Sequence, residues 1–188
     1  MKKLNTIKTI KLLAVLFIST LAFTACSDDD HDHDDDHDHE EELITTVTYT
    51  LTNGTDIVTM IYSDEDGDGG NPATSSISGP LTANTIYTGA VKLENKTESP
   101  AEDITEEVKA EGDEHEFFYV STVGKITKTD VDANNNSLGI ETTLTTGTAG
   151  SGSLTIVLKH EPKKPNSGIN DAGGSTDVEV TFNNITIQ

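Results

Sequence analysis

From Ile44 to Thr52 apolar residues and threonines alternate, which puts Val47, Tyr49 and Leu51 on one side of an extended chain. A period of two is the signature of a strand with one buried face, and it leaves no room for an amphipathic helix. The pattern returns at Ile57–Tyr62, Thr74–Ile77, Thr85–Glu94, Phe117–Thr122 and Lys125–Thr129, then at Gly139–Thr146, Leu154–His160 and Asp177–Ile187. Threonine and valine, which suit a pleated half-buried surface, are abundant in these runs, and turns rich in Gly, Asn and Asp separate them. Asn53-Gly54 sits between the first two runs, and Asn-Gly is a strong hairpin signal because both central positions of a type I′ turn need positive φ.

One helix is expected. Ser99 can cap it, Pro100 can occupy its first turn, and Glu102 closes a capping box. Ala101, Ile104 and Val108 recur at helical spacing, and Gly112 can end it. Eight or nine short strands with one helix predict an all-β domain, an antiparallel two-sheet immunoglobulin-like sandwich, over residues 43–188. There is no tryptophan and few other aromatics, so a core built mainly from Ile, Leu and Val is expected.

The residues before this domain have a different character. Lys2, Lys3, Lys8 and Lys11 precede an apolar run from Leu12 to Phe23, then small Thr24 and Ala25 and the single cysteine, Cys26. A basic start, an apolar stretch and small residues are the parts of a secretory signal, and the run is short for a membrane span of about 20 residues. Phe23-Thr24-Ala25-Cys26 resembles the lipobox of bacterial lipoproteins, which implies cleavage after residue 25 and a membrane anchor of lipid on Cys26. Cys26-Ser27-Asp28-Asp29-Asp30 is similar to the acidic export signal of Bacteroidota lipoproteins, which implies the outer membrane, facing the cell exterior. Cleavage leaves 8 lysines against 33 acids, a formal charge of −25. Such a field repels phosphate backbones and attracts cations, so nucleic acid is not an expected partner.

Residues 27–42 comprise one Ser, eight Asp, three Glu and four His. With nothing apolar to bury, the segment is expected to be a disordered tether. His31-Asp32-His33 and His37-Asp38-His39 place two imidazoles on one side of an extended chain, with carboxylates beside them. Neutral imidazole suits zinc, copper and nickel, so a divalent transition metal is expected here, with zinc favoured. A hydrophilic spacer is the plainer reading, although a spacer needs no histidine.

Two segments of the domain also carry metal-binding residue types. In Asp64-Glu65-Asp66-Gly67-Asp68-Gly69-Gly70-Asn71, oxygens at alternate positions match the first half of an EF-hand loop. The bidentate Glu expected at the twelfth position is Ser75, so a calcium loop of another kind, using Asp64, Asp66, Asp68 and Asn71, stands beside an acidic turn. His115 begins one predicted strand and His160 ends another, so both could meet at one end of the sandwich as a second metal site. Satisfied or exposed surface histidines are the commoner outcome.

Signatures of catalysis are missing from the sequence: no Gly-x-Ser-x-Gly elbow, no phosphate-binding glycine loop, no His-Glu-x-x-His pair. The glycine-rich run from Gly147 to Gly152 reads as a hairpin loop. A non-enzymatic role is therefore expected.

Asp66-Gly67-Asp68-Gly69-Gly70-Asn71, Ser99-Pro100-Ala101-Glu102-Asp103-Ile104-Thr105, and the stretch from Leu144 through Pro162 resemble a family of Bacteroidota lipoproteins with an Asp/His-rich tail. Its members are sometimes labelled type 1 periplasmic binding fold superfamily. That label implies two α/β lobes, whereas the residues here predict threonine-rich strands and one helix. The resemblance implies association with TonB-dependent receptors and metal-handling genes. The expected function is thus a cell-surface lipoprotein that binds divalent metal and assists its uptake by an outer-membrane receptor. A glycan- or protein-binding adhesion module, or an accessory receptor subunit with the tail as spacer, is the alternative.

Overall fold

The structure is a computed structural model, and it describes residues 43–66 and 70–188. The expected all-β sandwich is what these residues form. One antiparallel sheet holds β1 (Thr46–Asn53), β2 (Asp56–Ser63), β3 (Thr74–Ile77), β4 (Ile86–Asn95), β7 (Gly124–Lys128) and β8 (Glu141–Thr146), with the two-residue β5 (Glu102–Asp103) paired to the end of β4. The order across it is β3-β2-β1-β4-β8-β7. The second sheet holds β6 (His115–Ser121), β9 (Gly150–His160) and β10 (Ser175–Ile187), in the order β10-β9-β6. The short helices α1 (Ile104–Ala110) and α2 (Ile169–Ala172) lie in connections.

Period-two burial explains how the sheets stack. β4 alternates along its length, with Tyr87, Gly89, Val91 and Leu93 turned inward and Thr88, Ala90 and Lys92 outward. Tyr49, Leu51, Met60, Leu93 and Leu144 of the large sheet meet Phe117, Leu154, Ile156, Leu158 and Phe182 of the small one in a single apolar core. Ile, Leu and Val are numerous there as expected, yet Tyr49, Tyr87, Phe117 and Phe182 are among its largest fully buried side chains. The Tyr49 hydroxyl is satisfied by Thr142 Oγ1 at 2.8 Å, so a polar atom enters the core without an open hydrogen-bond requirement. Gly89 makes room for this pair, because a Cβ at that position would collide with the Tyr49 hydroxyl and Thr142 Oγ1.

Three local expectations are corrected. The first hairpin turns at Gly54-Thr55, since Asn53 pairs with Asp56, and Gly54 has φ of +59°. A glycine at the first central position is the type II′ preference, and Asn53 instead donates its side chain to Ile86 O at 2.7 Å. The helix begins at Ile104, not at Pro100, because Glu102 and Asp103 extend the sheet by pairing with Asn95 and Glu94. Asp103 is the cap, accepting from the Thr105 N–H at 3.1 Å, while Ile104 and Val108 enter the core as their spacing predicts. The run Gly147–Gly152 is no hairpin loop: β8 and β9 lie in different sheets, so residues 147–149 carry the chain across the sandwich and Gly150–Gly152 already belong to β9.

Burial pushes the Tyr49 hydroxyl up to about 12, against the smaller opposing pull of its hydrogen bond to Thr142. Burial also raises Tyr119, with Tyr49 and Asp130 adding to the effect. A phenol raised in the folded state contributes stability that is complete below its ordinary value near pH 10 and lost as pH climbs towards the folded value. In an alkaline titration followed by phenolate absorbance, two of the four tyrosines should therefore ionise late and together with loss of near-ultraviolet dichroism. Gly89→Ala should destabilise the domain by about 1–3 kcal/mol through overpacking, read as a lowered midpoint in urea with an unchanged slope.

Candidate metal centre

At one end of the small sheet, a strand start, a strand end and a second strand start come together. His115 on β6 stands directly opposite His160 on β9, and Ser175 on β10 stands opposite His160 on the other side. The two histidines continue inward-facing apolar rows: Phe117 follows His115 on the same face of β6, and Leu154, Ile156 and Leu158 precede His160 on β9. Their rings meet edge to face with centroids 4.7 Å apart. The meeting of His115 and His160 at one end of the sandwich is thus present in the structure.

A third residue joins them that the sequence did not single out. Thr176 pairs with Lys159 and Val178 with Leu158, so Asp177 is an extra residue on β10, a β-bulge. Simple alternation from Val180 and Val178 would send Asp177 outward; the bulge re-aims it into the sandwich. Thr176 goes outward instead, where Lys159 Nζ donates to its hydroxyl at 2.7 Å. Asp177 Oδ2 lies 3.8 Å from His115 Nε2, and Oδ1 lies 3.8 Å from His160 Nδ1. The side chains of His115 and Asp177 are fully buried and that of His160 is 9% exposed.

This donor set suits a transition metal. One ligand atom from each residue lies within 4.8 Å of the others. Donors of a tetrahedral zinc ion, at about 2.0–2.1 Å from the metal, stand about 3.3 Å from each other, so side-chain rotation would draw the three in by roughly 1 Å. The tautomer at His115 is favourable. Its Nδ1 lies 3.2 Å from the Glu111 carbonyl oxygen, which can only accept, so Nδ1 donates and Nε2 is the nitrogen left facing Asp177, available to a metal. A ligating histidine anchored through its other nitrogen to a carbonyl is the usual outer arrangement of metal sites.

The surroundings hold these strands in place. The connection 161–174 carries Lys164, whose buried ammonium donates to Gly112 O and His115 O, both at 2.5 Å, and pairs with Asp132 at 3.2 Å. Burial opposes ionisation of Asp132, but the Asn136 and Asn134 amides and Lys164 together hold its carboxyl below the usual range. On the outer face of β6, Glu116 receives Lys128 at 2.5 Å and the Asn166 amide at 2.6 Å, which ties the same connection down a second time. At Gly174 φ is +68° and a Cβ would collide with the His160 carbonyl, so glycine is needed where the chain turns into β10.

The other residues singled out in the sequence stand elsewhere. Cys26, His31, Asp32, His33, His37, Asp38, His39 and Asp68 lie outside the described residues. In the acidic loop, Asp66 Oδ2 accepts from the Asn71 N–H at 2.7 Å and its side-chain amide at 2.8 Å, and the Asn71 N–H is the main reason its carboxyl is held below the usual range. Asn71 therefore serves Asp66 as a hydrogen-bond donor. Asp64 is fixed by its backbone N–H to Thr45 O at 2.8 Å. No protein-family model, no curated protein and no solved structure matches the chain, so the centre rests on its own geometry.

Proposed function

We propose that this chain is a lipid-anchored lipoprotein of the outer membrane that binds divalent transition metal, zinc foremost, and assists its capture for an outer-membrane receptor. The observation that carries the metal-binding part of the reading is the convergence of His115, His160 and Asp177 at the end of the small sheet; capture for a receptor is assigned to the His-rich segment 31–39. Two borderline imidazoles and one carboxylate match zinc better than calcium or magnesium, which prefer oxygen throughout. The carboxylate offsets one of the two charges of the ion, and the Glu111 carbonyl sets the His115 tautomer for binding. The acidic field of the chain raises the local cation concentration, and the His-x-His pairs at His31–His33 and His37–His39 supply further imidazoles near the anchor.

Zinc titration by calorimetry, on the chain from Ser27 and on the domain from Leu43, tests this reading. The domain should bind one ion, the longer chain should bind additional ions more weakly, and Asp177→Asn should weaken the domain site by at least about tenfold. Binding by the longer chain alone would assign metal to the tail and leave the domain to another contact. An absence of binding by either form would remove metal capture altogether.

A further inference from the structure

We propose that the ion bound by His115, His160 and Asp177 is a structural lock, held rather than handed on. The inference rests on the metal-binding reading above. It starts from the orientation of Asp177, whose two oxygens each face a different ring at 3.8 Å. His115 Nε2, His160 Nδ1 and Asp177 thus supply three ligands from the chain, with the carboxylate set between the two rings. Three protein ligands alone leave a fourth position for water, so retention of the ion rests on burial and position and not on ligand count. All three side chains are buried by 91% or more.

Position gives the lock its effect. The three donors sit on three different strands and lie 45 and 17 residues apart in sequence, so an ion joining them closes long loops and holds them in register. It acts at one of the two irregularities of the β10–β9 ladder. The β10–β9 ladder is broken at Asp177, and the chain enters it through Gly173 and Gly174, both with positive φ. A bulge and two glycines cost backbone order, and a coordinate bond from Asp177 to β6 and β9 restores it. The connection 161–174 is fastened by Lys164 to the His115 carbonyl and by Asn166 to Glu116. For the ion to leave, the start of β10 or this fastened segment must open, so release is slow. Delivery to a receptor then belongs to the tail histidines, and the domain ion keeps the domain folded.

Hydrogen exchange by mass spectrometry on the chain from Ser27, with zinc and after removal of metal by a chelator, reads this directly. Zinc should slow exchange at least about tenfold in residues 161–180, with little change along β1 and β2. A brief chelator pulse should strip the tail-bound ions and leave one ion per chain. His31, His33, His37 and His39 changed together to Ala should preserve the protection, and Asp177→Asn should abolish it. The comparison with and without zinc needs no variant, so a misfolded Asp177→Asn protein does not blunt the test. If an Asp177-dependent ion binds but leaves exchange unchanged, or departs within the chelator pulse, the lock is wrong and metal binding stands. If no ion depends on Asp177, both ideas fall together.

Discussion

The candidate centre depends on the register of β9, which pairs with β6 on one side and β10 on the other. Leu154, Ile156 and Leu158 of this central strand fill the core, each fully buried and each contributing about 1.5–3 kcal/mol when removed from water. A slip of one residue would turn all three outward. The same slip would turn His160 to the opposite face and take it away from His115. Apolar burial therefore fixes the position of two polar side chains that contribute nothing to that burial themselves. The histidines follow the core because they stand in line with it.

Most of the strands were legible because their burial is one-sided. β3 matches its predicted span, and β1, β2, β4, β6 and β7 differ by only one or two residues at most ends. What a period of two does not encode is which strand lies beside which. Gly147–Gly152 looked like a hairpin because it joins two strands, yet nothing local shows that β8 and β9 belong to different sheets. The helix start was misplaced for a related reason. Ser99, Pro100 and Glu102 satisfy a local capping pattern, but pairing of Glu102 and Asp103 with β4 competes for those residues and wins. Thr105 then anchors the helix to that strand, its hydroxyl accepting from the Leu93 N–H at 2.8 Å.

Legibility of the site divides between its residues. His115 and His160 could be suspected because each ends a strand, and strand ends of one sandwich meet. Asp177 could not, since alternation with Val178 and Val180 assigns it to the solvent face and only the bulge reverses that assignment. A pair of glycines ahead of the strand is the nearest thing to a signal, as Gly173-Gly174 permits the close turn from which a displaced register begins. Bulges are set by how two strands fit over their whole length, so a short window of sequence does not display them. The acidic loop is legible only in part. Its oxygens have suggestive spacing, but Asn71 is engaged with Asp66, and spacing alone does not reveal which groups have already found each other.

Tail and domain would hold metal by different physics. The tail carries four histidines and eight aspartates within residues 27–42, so several equivalent ligand sets would compete there. In the domain the ordering cost is met by folding of the core, and the ion meets donors already within 4.8 Å of one another. Preorganisation strengthens binding and slows release together, because the contacts that place the donors also block the way out. The buried triad, fastened through Lys164 and the Glu111 carbonyl, suits an ion that stays. Retention of a domain ion would follow from where its ligands sit relative to the core, and it needs no special ligand chemistry.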